Sequence, residues 1–141
     1  MKAFVIDNSV VVKWFSRAAD TPAALVLRDA LYRGDCRILA PDLLLYELAN
    51  ALRFHPGFSE DDVKAAVASV QDLGIEFAAA DPDLPRRALD LAFRFKTTVY
   101  DVCFLALADL RGIPLVSADE RLIVQAQGFT GVIRLSDLSL K

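Results

Sequence analysis

Residues 3–7 read AFVID, four apolar residues in a row followed by a carboxylate. A continuous apolar run of this kind, without polar alternation, is typical of a parallel strand that is buried on both faces. We therefore predict a strand over residues 3–6. The acid that follows it, Asp7, then lies at the carboxyl end of a strand, which is where open parallel sheets form their binding sites.

Short apolar runs and helical segments alternate along the rest of the chain. Further strands are predicted over residues 37–40, 75–79, 115–117 and 132–135. Helices are predicted over residues 21–32, 42–53, 59–73, 81–95, 98–111 and 120–127. Such alternation predicts an α/β fold in which helices cover both faces of a parallel sheet.

Length, charge and cysteine content limit the class of protein. A chain of 141 residues with 55% hydrophobic residues suits a single domain over residues 1–141 with one substantial core. The formal net charge of -3 argues against a protein that coats nucleic acid through bulk positive charge.

Cys36 and Cys103 lack the spacing of a zinc site or disulfide framework, which favours reduced thiols. No run suits a signal peptide or membrane span, so we expect a cytoplasmic protein without membrane contact.

Three further acids interrupt apolar sequence in the way that Asp7 does. They are Glu47 in LLLYELA, Asp101 in TVYDVCFLALA and Asp119 in PLVSADERL. Carboxylates resist burial unless they are paired or bind a metal. Asp119 lies just beyond the fourth predicted strand, and Asp101 lies in the first turn of a predicted helix, where the helix dipole favours negative charge. Together these positions predict one shared cation site and metal-assisted hydrolysis.

Each acid also has an ordinary structural explanation. Asp7 and Asp119 both suit the N-cap of a following segment, and Asp101 suits the distal position of a capping box. Glu47 is placed to pair with Arg53 or to lie on an exposed stripe. Four such coincidences are harder to accept than one shared site. Like charges a few ångströms apart cost about 4 kcal/mol per pair at an effective dielectric near 20, which a divalent cation would offset.

Three neutral polar residues are predicted to support these acids. Ser9 and Ser117 lie near Asp7 and Asp119 in the sequence and are placed to orient water or a carboxylate. Asn50 follows Glu47 by one helical turn, on a helix that is otherwise almost wholly apolar. A polar pair in such surroundings needs a partner.

Several other chemistries lack necessary parts. His55 is the one histidine of the chain, which excludes a ribonuclease that works through two histidines and a histidine-rich zinc site. The sequence has no glycine-rich phosphate loop and no G-x-S-x-G elbow. Ser9 occupies the position where a phosphatase with an aspartyl nucleophile typically needs a second Asp.

Four motifs, in this order, carry a resemblance to a known family. They are VIDNS at residues 5–9, PDLLLYELANAL at 41–52, VYDVCFLALA at 99–108 and LVSADERL at 115–122. Together they resemble the PIN-domain family and, within it, the VapC-type toxin ribonucleases of type II toxin–antitoxin systems. The likeness spans nearly the whole chain.

The resemblance implies a three-layer α/β/α sandwich with a central, mainly parallel sheet and four acids at one end of it. Matched motif by motif, the four acids are Asp7, Glu47, Asp101 and Asp119. It implies that Asp7 and Asp101 bind Mg²⁺ or Mn²⁺ directly, that Asp119 completes the ligand set, and that Glu47 shares that role or holds metal-bound water. The chain departs from the pattern at Ser117, where the family often has Thr, and at Asn8, where a small residue is commoner.

The function implied is Mg²⁺- or Mn²⁺-dependent endoribonuclease activity against tRNA, rRNA or mRNA. Such a bound ion holds the scissile phosphate and lowers the pKa of the attacking water, so the products carry a 5′-phosphate and a 3′-hydroxyl. A cognate antitoxin and a homodimer are implied as partners. Two alternatives stay open, a PIN-like module that binds a partner without cutting, and a metal-dependent DNA nuclease or phosphatase.

Overall fold

A five-stranded sheet forms the centre of the molecule. The computed structural model describes residues 1–129 and 131–140. Within these ranges the strands are β1 (Lys2–Ile6), β2 (Cys36–Pro41), β3 (Glu76–Ala78), β4 (Leu115–Ser117) and β5 (Val132–Arg134). All neighbours pair in parallel, in the order β3-β2-β1-β4-β5. The predicted parallel sheet is confirmed, and each predicted strand is present to within one or two residues at its ends.

Helices flank this sheet and complete the predicted α/β/α sandwich. In the described ranges they are α1 (Asn8–Val11), α2 (Thr21–Arg33), α3 (Leu43–Arg53), α4 (Glu60–Asp72), α5 (Asp83–Phe95), α6 (Val99–Arg111) and α7 (Glu120–Gln125). Two short 3₁₀ segments occupy Val12–Trp14 and Leu135–Asp137. Over this part of the chain, no helix combines the length and apolar character that crossing a bilayer demands.

Local signals explain where the helices begin and end. Ser59 and Asp62 form the predicted capping box at the start of α4, each side chain accepting from the backbone N–H of the other. Gly34 ends α2 with a φ of 79°, a backbone conformation that glycine adopts without strain. Helix α2 begins at Thr21, as predicted, and the Thr21 hydroxyl accepts from the backbone N–H of Ala18 in the preceding loop.

The core explains why α6 is the most apolar helix. It packs against β1, β2 and β4 on the sheet and against α5 beside it. Six of its thirteen residues are buried as a result, namely Val102 and the run from Phe104 to Ala108. In the strand that opens the chain, Phe4, Val5 and Ile6 are buried as well. The acids at the ends of β1 and α6 are therefore attached to the most rigidly packed part of the protein.

The sheet order creates a crevice beside β1. Strands β2 and β3 lie on one side of β1, and β4 and β5 lie on the other. The direction of winding therefore reverses between β1 and β4, and ligands of open α/β sheets bind at such a point, beyond the carboxyl ends of the strands. Asp7 follows β1 directly, and Asp119 follows β4 by two residues.

Candidate metal centre

The four acids singled out from the sequence line one cleft of about 250 Å³ at this crevice. The full lining is Asp7, Asn8, Ser9, Glu47, Tyr100, Asp101, Phe104, Asp119 and Leu122. Four separate elements supply the acids. They are the ends of β1 and β4, the middle of α3 and the first turn of α6. The fold thus gathers carboxylates that are far apart in the sequence.

Asp7 is the buried acid of the cleft, with 7% of its surface exposed. As the N-cap of α1, it accepts a hydrogen bond from the backbone N–H of Ser9 at 3.1 Å, so its capping explanation is correct. The hydroxyls of Ser9 and Ser117 also donate to its two carboxylate oxygens, from Ser117 at 2.6 Å. Burial raises the pKa of Asp7, and the serine hydroxyls oppose that rise by bonding the charged form.

The two serines also connect the end of β1 to the end of β4. The Ser9 hydroxyl accepts from the backbone N–H of Ala118 at 2.8 Å, and the Ser117 hydroxyl accepts from that of Asp119 at 3.1 Å. Each hydroxyl is therefore used as donor and acceptor at once. This network fixes the Asp7 carboxylate relative to the backbone that carries Asp119. The supporting role of both serines at a ligand site stays a prediction.

We expect Ser117→Ala to weaken binding of Mn²⁺ by about 10–100-fold, the usual cost of removing a group that orients a metal ligand. Ser117 is completely buried, so its loss leaves one oxygen of Asp7 without a donor. Isothermal titration calorimetry measures the affinity. Ser117→Thr keeps the hydroxyl and should keep the affinity, and equal affinities for the Ala and Thr variants would contradict the orienting role.

Glu47 is half-buried in the middle of α3, and its Oε1 has no hydrogen-bond partner. Burial raises the pKa of Glu47 to about 7, and the carboxylates of Asp7 and Asp101 add to the rise. The pairing with Arg53 that the sequence allowed does not occur, because the Arg53 guanidinium lies 4.7 Å from the ring centre of Phe54. Glu47 is therefore a carboxylate that lacks a compensating partner.

The metal-free protein is expected to lose stability as the pH rises from about 4.5 to about 7. Between the ordinary pKa of 4.5 and the folded-state pKa of about 7, Glu47 is protonated when folded and ionised when unfolded. Glu47→Gln removes this penalty, so at pH 8 in EDTA the variant should melt several degrees above wild type, about 3–8 °C. At pH 4 the two should be equal.

Thermal unfolding followed by circular dichroism measures this difference. Glu60→Gln, at the exposed start of α4, is the matched control and should show no gain at pH 8. A Glu47→Gln variant that is no more stable than wild type at pH 8 would contradict an uncompensated charge at this position.

Asp119 is the N-cap of α7 as well as a lining residue of the cleft. Its carboxylate accepts from the backbone N–H groups of Arg121 and Leu122 at 3.1 and 3.3 Å. The capping explanation for this acid is therefore correct, and it does not exclude the second role. The side chain is exposed, so one face of the carboxylate stays open to the cleft.

Asp101 lies in the first turn of α6, on the exposed side of the cleft. Its backbone N–H donates to the Thr98 hydroxyl at 3.1 Å, which caps the helix. Its carboxylate accepts from the Thr97 hydroxyl at 2.9 Å and lies 3.6 Å from the Arg121 guanidinium. The expected capping box at Thr98 is thus only half observed, since the carboxylate bonds a neighbouring side chain instead.

The donors of the cleft fit a hard divalent cation. Mg²⁺ and Mn²⁺ prefer oxygen ligands, and the polar groups here are carboxylates, hydroxyls and one amide. The unpartnered oxygens of Glu47 and Asn8, both buried, are the kind of group that an ion or its water satisfies. Among the described residues, however, no three His, Cys, Asp or Glu side chains already stand close enough together to hold an ion. Binding therefore requires the exposed carboxylates to turn away from their present partners.

Asn50 is the one supporting residue that the structure does not bring to this cleft. It is exposed and lines a different groove, between α3 and α4. Three residues advance an α-helix by 300°, so Asn50 points about 60° away from Glu47 around the axis, toward α4. Spacing alone does not distinguish these two directions.

Other lining residues were not predicted from the sequence. Phe104 and Leu122 each follow an acid of the cleft by three residues on the same helix, and Tyr100 precedes Asp101 directly. The i,i+3 spacing is a signal for the first two, because residues three apart lie about 60° from each other around a helix, but Asn50 has the same spacing from Glu47 and lines a different groove. Thr97 and Arg121 contact Asp101 through side chains whose direction no sequence pattern indicates.

Known proteins of similar sequence or structure were compared with the chain. The PIN domain family model matches residues 4–127. No curated protein is significantly similar in sequence. VapC20 from Mycobacterium tuberculosis, described as a sarcin-ricin loop cleaving toxin, is 18% identical with a TM-score of 0.70, over 93% of this chain and 98% of that one. PAE2754 from Pyrobaculum aerophilum is 20% identical with a TM-score of 0.66, over 96% and 90% of the two chains.

A third solved structure has the same fold. In a toxin-antitoxin complex from Klebsiella pneumoniae, the similar chain is 16% identical with a TM-score of 0.66, and the match covers 96% of this chain and 99% of that one. At such identities these likenesses concern the fold alone. The family match is different in kind, because it covers most of the sequence, including all four acids of the cleft. This chain belongs to the PIN domain family.

Proposed function

We propose that this protein is a metal-dependent ribonuclease, a hydrolase of RNA phosphodiester bonds, and the toxin of a VapBC-type toxin–antitoxin pair. The observation that carries the proposal is the convergence of four carboxylates on one cleft at the switch point of the sheet. Membership of the PIN domain family supports a nuclease, and the fold shared with VapC20 supports RNA as the substrate.

The residues of the cleft divide into three roles in this proposal. Asp7 and Asp101 would hold Mg²⁺ or Mn²⁺, with Asp119 as the further ligand. Glu47, whose Oε1 is unpartnered, completes the set or accepts a hydrogen bond from bound water. Ser9 and Ser117 hold the Asp7 carboxylate in place through their hydroxyls. When bound, the ion neutralises charge on the phosphate and lowers the pKa of the attacking water.

RNA is the proposed substrate class, as single-stranded or looped segments of tRNA, rRNA or mRNA. Cleavage by water leaves a 5′-phosphate and a 3′-hydroxyl, so the 2′-hydroxyl serves recognition and not the reaction. The absence of a second histidine from the chain excludes one alternative route, a metal-free ribonuclease that works through a pair of histidines.

An antitoxin protein and a second copy of the chain are the proposed partners, in the cytoplasm. A similar fold occurs in the Klebsiella pneumoniae toxin-antitoxin complex. The surface here also carries large exposed side chains, among them Tyr32, Tyr46, Phe54 and Phe93.

A digest of three substrates tests the proposed activity. RNA, single-stranded DNA and a small phosphate ester are each incubated with the protein in Mg²⁺, Mn²⁺ or EDTA. Cleavage of RNA in either metal and its loss in EDTA is the expected result, with 5′-phosphate at the new ends. Equal cutting in EDTA would contradict metal dependence. Faster turnover of DNA or of the ester would replace the ribonuclease with one of the alternative enzymes, and no cutting of any substrate would favour a binding module.

A further inference from the structure

Arg121 brings a positive charge to the rim of the acidic cleft. It lies in the first turn of α7, and its guanidinium Nη2 is 3.6 Å from a carboxylate oxygen of Asp101. Its backbone N–H donates to the Asp119 carboxylate, so the residue is anchored between two acids of the cleft. The side chain itself is 74% exposed. A long, exposed side chain with a fixed backbone can move its charge without any change in the fold.

We propose that Arg121 is the counter-ion of Asp101 in the metal-free cleft and becomes a contact for a substrate phosphate once the ion is bound. The second half of this inference rests on the proposed ribonuclease function, whereas the first half requires only that the cleft binds a divalent cation.

The Asp101–Arg121 pair has poorer geometry than two arginine pairs that each bond a carboxylate through two nitrogens. Arg134 bonds Glu120 through two nitrogens at 2.6 and 2.9 Å, and Arg37 bonds Glu76 in the same way at 2.8 and 2.6 Å. The separation of 3.6 Å at Arg121 exceeds all four of these distances. Exposed ion pairs contribute little to stability even at good geometry. Arg121 can therefore leave Asp101 at a small cost in free energy.

The same charge competes with a cation for Asp101. Four carboxylates line the cleft, and both a metal ion and the guanidinium are attracted to the same oxygens. An ion that binds Asp101 repels Arg121, which must move outward. Removing the positive charge should therefore tighten metal binding, whereas most substitutions beside a metal site weaken it.

Once displaced, the guanidinium remains within reach of a phosphate at the cleft. Its planar set of donors matches two phosphate oxygens at once, a geometry that makes arginine a preferred phosphate contact. The carboxylates of the cleft repel RNA, so a positive charge at the rim also offsets part of that repulsion. Removing Arg121 should consequently weaken RNA binding while it strengthens metal binding.

Two binding measurements on the intact protein test this pair of effects. Mn²⁺ affinity is measured without RNA by electron paramagnetic resonance, and affinity for a single-stranded oligoribonucleotide is measured by fluorescence anisotropy in Ca²⁺. For Arg121→Gln we expect Mn²⁺ affinity to rise about 3–10-fold, as Coulomb repulsion predicts. RNA affinity should fall by a similar factor, and the slope of log Kd against log salt should shrink by about 1.

Two further variants make the test specific. Arg28→Gln removes an arginine of α2 that pairs with Asp29 at 3.0 Å and lies outside the cleft lining, and it should leave both affinities unchanged. Arg121→Lys keeps the charge but loses the planar donor set. It should retain wild-type Mn²⁺ affinity and bind RNA more weakly than wild type.

The possible outcomes separate this inference from the proposed function. Arg121→Gln affinities for Mn²⁺ that equal or fall below wild type would overturn the counter-ion role, whether or not RNA binds. A wild type that binds Mn²⁺ but not RNA would overturn the phosphate contact together with the ribonuclease proposal. Opposite shifts in the two affinities, seen in Arg121→Gln and absent from Arg28→Gln, are the supporting result.

Discussion

Replacing Asp7 with Asn is expected to abolish RNA cleavage, lowering kcat/KM by at least about a thousandfold, because the metal supplies several kcal/mol of transition-state stabilisation. Asp7 is the buried acid of the cleft, and both of its oxygens are already oriented by serine hydroxyls. Asn keeps the shape of the side chain, removes its charge and turns one of its two acceptor oxygens into a donor group. The loss of activity should therefore follow from lost metal binding and not from altered packing.

The free energy of unfolding of the metal-free protein distinguishes lost metal binding from altered packing. Burial disfavours the charged form of Asp7, and this gain on its removal offsets part of the cost of the one serine hydrogen bond that Asn cannot accept. The metal-free variant should therefore stay folded, with a free energy of unfolding within about 1–3 kcal/mol of wild type. Asp61→Asn, on the exposed first turn of α4, is the matched control and should keep full activity. A folded Asp7→Asn protein that retains a tenth or more of wild-type activity would rule out Asp7 as a metal ligand.

Phe104→Ala should have the largest effect on stability, a loss of about 3–5 kcal/mol in the free energy of unfolding. Phe104 is 2% exposed and packs in the core from α6, and it also lines the acidic cleft together with Asp101. The substitution removes most of a large side chain from a close-packed interior and leaves a cavity. Urea denaturation followed by circular dichroism measures the change.

Phe93→Ala is the matched control for that substitution. Phe93 lies on α5 and is 82% exposed, so the same chemical change there should alter the free energy of unfolding by no more than about 0.5 kcal/mol. Similar losses for the two variants would contradict the placement of Phe104 in the core.

The fold was predictable where hydrophobic patterns are long enough to be unambiguous. The apolar run before Asp7 predicts β1, and the stretch around Asp101 predicts an apolar helix. The four residues of α1 make only about one helical turn, which is too short to show a repeating apolar pattern. The order of strands also has no local signal. It depends on which faces pack together after each strand has formed.

The candidate site was predictable to the extent that its acids conflict with their surroundings. A carboxylate inside apolar sequence is conspicuous, and the structure places all four such acids on one cleft, while their roles as ligands stay predictions. Asn50 and Arg121 show the limits of this reasoning. The position of Asn50 depends on a rotation of about 60° around the α3 axis, which spacing alone does not reveal. Arg121 resembles any other solvated charge on an exposed helix face.

A crystal of the protein soaked in Mn²⁺ tests the central claim most directly, because manganese is located by its anomalous scattering. We expect a strong anomalous peak in the acidic cleft, within about 2.0–2.6 Å of carboxylate oxygens of Asp7 and Asp101. A crystal soaked to saturation in Mn²⁺ that has no peak in this cleft, or has manganese only at other carboxylates, would show that the four acids do not form a metal centre.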